Sequence, residues 1–155
     1  MATQSISNSS MLRNNVLDAI GNTPLVDISG LSPNRQVRIY AKLEGNNPTG
    51  SVKDRVAKYM IESAESSGRL KPGGTIIEPT SGNTGISLAM IARFRGYSLK
   101  VVMPASVGQE RISLLEAFGA EIILSDGNMG TNESIVVAEG IAKENPSFYM
   151  PYQYG

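Results

Sequence analysis

From residue 75 onward, short apolar segments alternate with longer segments that have helical periodicity. The short segments predict strands and the longer ones predict helices. This alternation is typical of βαβ units, in which parallel strands are joined by helices that cover the sheet. We therefore predict an α/β fold with an open, mostly parallel sheet and helices on both faces. The predicted strands are residues 75–77, 99–103, 121–124 and 147–150, and the predicted helices are residues 84–95, 108–118 and 131–144.

The chain before residue 75 does not follow this alternation. Residues 25–28 and 37–43 predict two strands, and their position outside the pattern indicates that they belong to a different sheet. A helix is predicted over residues 52–67. Apolar residues four positions apart predict the core face of this helix, namely Val52, Val56, Met60 and Ala64.

A turn precedes this helix, and the first helical residues carry an unusual pattern. Ser51 is placed to cap the helix, and Asp54 completes a capping-box spacing with it. Lys53 lies in the first turn, where the helix dipole disfavours a cation and favours the neutral amine that Schiff-base chemistry requires. The alternative is a capped surface helix with a solvated lysine. Asp54 and Arg55 are expected to pair with neighbours on the helix.

The composition limits the chemistry available to this chain of 155 residues. With 41% hydrophobic and 18% charged residues it can build a core, and its 14 basic and 14 acidic residues give no basic patch for nucleic acid. It has no Cys and no His, so disulfides, Cys/His metal sites and His-based triads are excluded within it, and no metal site is predicted. No apolar run approaches the roughly 20 residues that cross a bilayer.

A polar, glycine-containing loop follows the predicted strand 75–77, at the end where parallel sheets bind ligands. Two glycines would let the backbone approach a ligand, and the next helix would offer free amides to an anion. The loop therefore suits a small carboxylate or phosphate. An ordinary polar turn remains the alternative, and the Gly-x-x-Gly spacing is a weak match to a dinucleotide loop. The residues concerned are Thr80, Ser81, Gly82, Asn83, Thr84 and Gly85.

Several motifs, in register, resemble those of the cysteine synthases. These are fold-type II pyridoxal-phosphate enzymes related to the tryptophan synthase β subunit. The resemblance covers about residue 16 to residue 155, and the form of residues 44–48 is most similar to the cysteine synthase B type. The motifs are Gly21-Asn22-Thr23-Pro24-Leu25, Lys42-Leu43-Glu44, Asn47-Pro48, Ser51-Val52-Lys53-Asp54-Arg55, Thr80-Ser81-Gly82-Asn83-Thr84-Gly85, Met103-Pro104, Gln109-Glu110-Arg111 and Gly119-Ala120.

The resemblance implies a reaction and a role for each matched residue. Lys53 would bind pyridoxal 5′-phosphate covalently and later carry the Cα proton of the substrate. Asn83 would form a hydrogen bond to the 3′ oxygen of the cofactor. The implied reaction replaces the β-substituent of O-acetylserine, or of a related activated serine, with sulfide to give cysteine. The substrate would be held by the loop and a distant glutamine, that is, by Thr80, Ser81, Gly82, Asn83, Thr84 and Gln153.

Enzymes of this family are considerably longer than this chain, so the resemblance implies an N-terminal half. The phosphate-binding loop and the residue that faces the pyridine nitrogen are expected beyond residue 155. Residues 1–12 are expected to be a disordered terminus, residues 13–47 to pair with a large domain, and residues 48–155 to form a small mobile domain. The fragment alone is expected to be weakly active or inactive, and the full-length protein to be a cytoplasmic homodimer.

Two alternative hypotheses about the function stay open. Threonine dehydratases, serine racemases and cystathionine β-synthases share the fold, although the first two usually carry Ser-Phe-Lys where this chain has Ser51-Val52-Lys53. The specificity of cystathionine β-synthase lies partly in residues that are expected beyond this chain. From another class, the chain could be a non-catalytic fragment that binds a partner through its unfinished sheet. Self-association without uptake of the cofactor would favour that function.

Overall fold

The computed structural model describes residues 12–153, and these form two sheets with four α-helices. The predicted disordered terminus, residues 1–12, lies outside the described residues except for Leu12. The strands are β1 (Leu25–Asp27), β2 (Tyr40–Lys42), β3 (Thr75–Pro79), β4 (Ser98–Pro104) and β5 (Glu121–Ser125). The α-helices are α1 (Lys53–Ser66), α2 (Asn83–Arg95), α3 (Gln109–Ala117) and α4 (Gly130–Glu144), and short 3-10 helices span Val16–Ala19, Ser29–Leu31 and Glu44–Asn46.

Strands β3, β4 and β5 form a parallel sheet in that order. Thr75 pairs with Ser98 at the start of β3, and Lys100 pairs with Glu121 at the start of β5. Helix α2 connects β3 to β4, and α3 connects β4 to β5. The predicted α/β fold with a mostly parallel sheet is therefore confirmed, and its strands all point their carboxyl ends at one edge.

Helices cover both faces of this sheet, as predicted. Alternate strand residues such as Ile76 and Val101 pack in one core cluster with α1, α2 and α3. Their neighbours Ile77 and Val102 pack on the other face against Ala138 of α4. Helix α2 lies between α1 and the sheet, which explains why apolar residues occur on nearly every side of it.

The predicted strand over residues 147–150 is wrong in extent. In the structure it is reduced to one parallel bridge between Tyr149 and Ile76 beside β3. The Tyr149 amide donates to the Thr75 carbonyl at 2.9 Å, and its carbonyl accepts from the Ile77 amide at 3.0 Å. Pro151 has no amide hydrogen to continue the ladder, so the pairing ends here.

The predicted core face of α1 is also wrong except at Ala64, which is buried as predicted. Val52 precedes the helix and is 47% exposed, whereas the buried residues of the helix are Asp54, Ala57, Ile61 and Ala64. Their spacing of three and four residues is that of a normal core stripe. The apolar pattern misses it because the stripe begins with an acid.

The two early strands lie outside the parallel sheet, as predicted, and they pair with each other in an antiparallel sheet with Leu25 opposite Lys42. The second strand is shorter than the predicted residues 37–43. The Ile39 amide donates to the Ser29 hydroxyl at 2.9 Å and not to the carbonyl of a strand. Ser29 lies in the 3-10 helix after β1. This small sheet is largely exposed, with Leu25 at 63% and Tyr40 at 56% exposure.

Candidate active site

The glycine loop connects β3 to α2 at the carboxyl edge of the parallel sheet. The Thr80 amide donates to the Val102 carbonyl at 2.9 Å, so the loop leaves the sheet directly. The Thr80 hydroxyl is buried and accepts from the Gly82 amide at 3.4 Å. Gly82 is the N-cap residue of α2 and has no side chain that could accept a hydrogen bond from the first helical amides. These amides therefore suit an anionic group.

The two glycines of the loop have different roles. A Cβ atom at Gly85 would lie 2.7 Å from Cγ2 of Thr80, so glycine is required for α2 to approach the end of β3. Among the described residues, a Cβ atom at Gly82 would meet Arg111 alone, at 4.0 Å. The protein thus leaves open space beside Gly82, which fits the close approach of a bound group.

Thr84 and Gln153 are brought together although 69 positions separate them. The Thr84 hydroxyl donates to the side-chain oxygen of Gln153 at 2.7 Å. The side-chain nitrogen of Gln153 lies 3.5 Å from the Pro79 carbonyl. The structure therefore places the predicted glutamine at the glycine loop.

Glu78 is a residue of this region that the sequence analysis missed. It is fully buried on β3, and its carboxylate accepts hydrogen bonds from the backbone amides of Tyr152 (2.9 Å) and Gln153 (3.0 Å). Burial raises the pKa of the Glu78 carboxyl, and the two backbone hydrogen bonds oppose that effect. An acid inside the apolar segment of residues 75–79 is the sequence signal that could have drawn attention to it.

Lys53 is the first residue of α1 and is partly buried. Its backbone amide donates to the Ser51 hydroxyl at 3.1 Å, so Ser51 does support the start of the helix. Within residues 12–153, the Lys53 side-chain amine forms no hydrogen bond or ion pair. The amine is therefore available for a bound group.

Asp54 does not complete the predicted capping box. Its carboxylate is fully buried and accepts hydrogen bonds from the Thr49 amide at 2.8 Å, from the Thr49 hydroxyl and from the Ser87 hydroxyl at 2.6 Å. Ser87 lies on α2, one turn after the glycine loop. The residue next to Lys53 thus ties the start of α1 to the start of α2.

Arg55 does not pair with neighbours on its helix either. Its guanidinium binds both carboxylate oxygens of Glu44, at 2.8 and 3.1 Å, and the Thr23 hydroxyl at 3.1 Å. Side-chain hydrogen bonds lower the pKa of Glu44 to about 2, with the largest effect from the Arg55 guanidinium and smaller effects from Asn47 and Thr23. Gly21 has φ 85°, and a Cβ atom there would lie 2.7 Å from Arg55 Nη1. The left-handed backbone and this close contact explain why the N-terminal motif has glycine at position 21.

The remaining predicted residues lie at the loop and, within residues 12–153, form no hydrogen bond with the Lys53 side chain. The Ser81 carbonyl accepts a hydrogen bond from Arg111 of α3 at 2.6 Å, which the sequence did not reveal. Asn83 is exposed at the first position of α2. The structure therefore brings Thr80, Thr84 and Gln153 to the loop, and the Asp54–Ser87 hydrogen bond is one of the contacts that connect the start of α1, with Lys53, to the start of α2.

Two surface clefts lie away from this loop. One is lined by residues between Gly68 and Thr75 with Pro146 and Ser147, and the other is lined by strand starts that include Ser98 and Glu121. Both lie toward the amino ends of the strands and contain none of the predicted site residues. In the part of the chain that the structure describes, no helix is long and apolar enough to cross a membrane.

A family model described as "Pyridoxal-phosphate dependent enzyme" matches residues 16–155. The chain belongs to the pyridoxal-phosphate dependent enzymes. The predicted cofactor is thus the cofactor of the family. The described residues fit it, because among residues 12–153 the Lys53 amine and the first amides of α2 have no side-chain partner, and the loop offers hydroxyl groups and open space beside Gly82.

Curated relatives of this pyridoxal-phosphate enzyme chain include two cysteine synthases. A "Probable cysteine synthase" of Bacillus subtilis is 51% identical over 140 residues, and a "Cysteine synthase" of a Flavobacterium species is 49% identical over the same length. Each match covers 90% of this chain and 45% of the relative. The chain therefore spans somewhat less than half the length of these relatives.

Solved structures give the same result. O-acetyl serine sulfhydrylase isoform 3 from Entamoeba histolytica has a TM-score of 0.88 and 41% identity, and the match covers 96% of this chain and 46% of that one. An O-ureido-L-serine synthase has a TM-score of 0.84 and 41% identity, with 92% and 45% covered. The predicted resemblance to the cysteine synthases is confirmed, and the coverage agrees with a chain that corresponds to about half of such an enzyme.

Proposed function

We propose that the full-length protein containing this chain is a cysteine synthase, which replaces the β-substituent of O-acetylserine or a related activated serine with sulfide. The names and identities of the relatives support this reaction. The structural observation that carries it is the Asp54–Ser87 hydrogen bond of 2.6 Å. Through this bond, the start of α1, where the Lys53 amine has no partner among residues 12–153, is fixed relative to the glycine loop at the start of α2.

The roles proposed for the individual residues are those that the resemblance to the cysteine synthases implies. Lys53 would hold the cofactor and move the proton at the Cα atom of the substrate, since its amine has no competing partner among residues 12–153. Asn83, exposed at the helix start, would bind an oxygen of the cofactor ring. Pyridoxal phosphate, when bound, would supply a conjugated ring that takes up the electron pair left on the Cα atom when its proton is removed.

The substrate carboxylate would bind at the glycine loop. The helical amides after Gly82 suit this group, and Gly82 leaves the space for its approach. The Thr84 hydroxyl and the Gln153 amide already form one hydrogen-bonded unit at this place. The other two groups of the predicted carboxylate site are Thr80 and Ser81.

The assembly of the whole enzyme is part of the proposal. Residues 13–47 would pair with a large domain, which is supported by the exposure of Leu25 and Tyr40 in the small sheet. Residues 48–155 would form the small mobile domain around the parallel sheet. The full-length protein would act as a homodimer in the cytoplasm, and the 155-residue chain alone would be weakly active or inactive.

A second candidate concerns the incoming nucleophile. A protein named O-ureido-L-serine synthase shares this fold at 41% identity, so the fold also occurs in an enzyme named for another product. The described residues bear on the amino-acid carboxylate and the lysine, and not on the nucleophile. A test of function therefore compares sulfide with other nucleophiles.

The proposed function is tested by assaying the full-length protein with pyridoxal phosphate, O-acetyl-L-serine and sulfide, and measuring cysteine. Lys53→Ala is expected to lower kcat at least about 100-fold. Lys58→Ala is the matched control, because Lys58 lies on the same helix and donates to the Leu17 carbonyl at 3.4 Å, away from the loop. Wild-type protein that forms no cysteine, or Lys53→Ala protein with normal activity, would refute the proposal.

A further inference from the structure

Glu78 occupies a position that stability alone does not explain. It is fully buried at the carboxyl end of β3, and none of the ion pairs within residues 12–153 includes it. A buried carboxylate without a cation destabilises a fold relative to a well-packed apolar side chain. The reason for a buried acid here therefore lies in the segment that it binds, residues 152–153.

That segment has an unusual backbone. Tyr152 has φ 57°, a conformation that bulky residues rarely adopt. This conformation lets two successive amides converge on one anion, as in an anion-binding nest. Glu78 fills the nest, with Oε2 2.9 Å from the Tyr152 nitrogen and Oε1 3.0 Å from the Gln153 nitrogen. A strained residue persists where its surroundings hold it, and this carboxylate holds both amides.

The strained turn determines where the Gln153 side chain reaches. The side-chain oxygen of Gln153 accepts the Thr84 hydroxyl hydrogen at 2.7 Å. Within residues 12–153, its side-chain nitrogen makes one long contact, 3.5 Å from the Pro79 carbonyl, and its second N–H has no acceptor. The free donor therefore lies at the loop where a carboxylate would bind.

We propose that Glu78 is a positioning residue for substrate recognition: it holds the backbone of residues 152–153 so that the Gln153 amide binds the α-carboxylate of an amino-acid substrate. This inference rests on the proposed function for the identity of the ligand. Glu78 itself touches neither substrate nor cofactor. It acts through Gln153, and through Gln153 on Thr84.

The first test measures, without any ligand, how strongly Glu78 protects the backbone amides of Tyr152 and Gln153. Amide hydrogen exchange is followed in the full-length protein for the peptide that contains Tyr152 and Gln153. Glu78→Gln keeps the side-chain volume but replaces one acceptor with a donor, so exchange at these amides is expected to rise about tenfold. Glu116→Gln, an exposed change on α3, is the control and should leave this peptide unchanged. Unchanged exchange in Glu78→Gln would overturn the proposal whatever the enzyme's activity.

The second test is a double-mutant cycle on the KM for O-acetyl-L-serine. Glu78→Gln and Gln153→Ala should each raise KM about tenfold with a smaller change in kcat, and the double variant should be no worse than Gln153→Ala. Effects that multiply in the double variant would show that Glu78 acts independently of Gln153, which overturns the proposal. A wild-type protein that does not bind the substrate refutes the proposed function instead, and the exchange measurement still decides the role of Glu78.

Discussion

The Asp54 carboxylate accepts a hydrogen bond from the Ser87 hydroxyl at 2.6 Å, and both side chains are fully buried. This contact joins the helix that begins with Lys53 to the helix that follows the glycine loop. Lys53 and the glycine loop, which are separate in the sequence, are thereby held at fixed positions relative to each other. Preorganisation of this kind is what a site needs to keep reacting groups in position.

Removal of the Asp54 carboxylate is expected to destabilise the fold. Asp54→Ala would leave the Thr49 amide and the Ser87 hydroxyl without their buried acceptor, at a cost of at least about 2 kcal/mol. Urea unfolding at constant m-value measures the loss. Glu139→Ala, an exposed change on α4, is the matched control. Equal stability of Asp54→Ala and the control would contradict the role of this network.

Gly85→Ala is expected to destabilise the protein although alanine favours helices. The added Cβ atom would meet Thr80 Cγ2 at 2.7 Å, and overpacking of this kind costs about 1–3 kcal/mol. Thr80→Ser removes the clashing methyl group, so the double variant should recover most of the stability in thermal unfolding. Gly82→Ala meets no close neighbour among the described residues and loses only the preference for glycine over alanine at an N-cap, so it should cost less than Gly85→Ala. If Gly85→Ala and Gly82→Ala unfold alike, the close approach of α2 to β3 is not the reason for Gly85.

Gly21→Ala is expected to weaken the link between the N-terminal segment and α1. The residue has φ 85°, and a left-handed conformation costs roughly 1–2 kcal/mol in a residue with a Cβ atom. The same atom would also displace Arg55 from its position beside Glu44. Gly30→Ala, where a Cβ atom has open space, is the control for the glycine-to-alanine change itself. Chemical denaturation of the two variants should show a loss for Gly21→Ala alone.

Stability is expected to depend on pH through Glu44. Its pKa is lowered from 4.5 to about 2, so the unfolded chain binds this proton more readily than the folded chain. The stabilising contribution is therefore complete above about pH 4.5 and is lost as the pH falls toward about 2. Glu44→Gln should flatten the fall in unfolding free energy across this window, whereas Glu116→Gln should not. An identical slope in wild type and Glu44→Gln would contradict the Arg55–Glu44 pairing.

Local patterns predicted much of the fold because burial repeats along each element. The strands and helices between residues 75 and 144 occur close to their predicted bounds, since their apolar residues face the sheet at regular spacing, whereas the strand predicted over residues 147–150 is a single bridge. The face of α1 was mispredicted because Asp54 occupies a core position, where its partners come from Thr49 and Ser87. Polar residues in the core depend on tertiary partners that periodicity does not contain.

The site shows the same division. The glycine loop was predictable because its residues are contiguous and follow a strand. Glu78 was missed because its partners, the amides of Tyr152 and Gln153, lie 74 and 75 positions away. Arg55 was expected to bind along its helix, but Glu44 lies 11 positions earlier in a different element. Long-range hydrogen bonds of single side chains leave little trace in a single sequence.

The role of Lys53 is tested most directly by borohydride reduction of the protein with pyridoxal phosphate, followed by peptide mass mapping. We expect a stoichiometric adduct on the peptide that contains Lys53, which is lost in Lys53→Ala and retained in Lys58→Ala. This result would establish the amine at the start of α1 as the cofactor site. Labelling scattered over several lysines, and unchanged by Lys53→Ala, would contradict it.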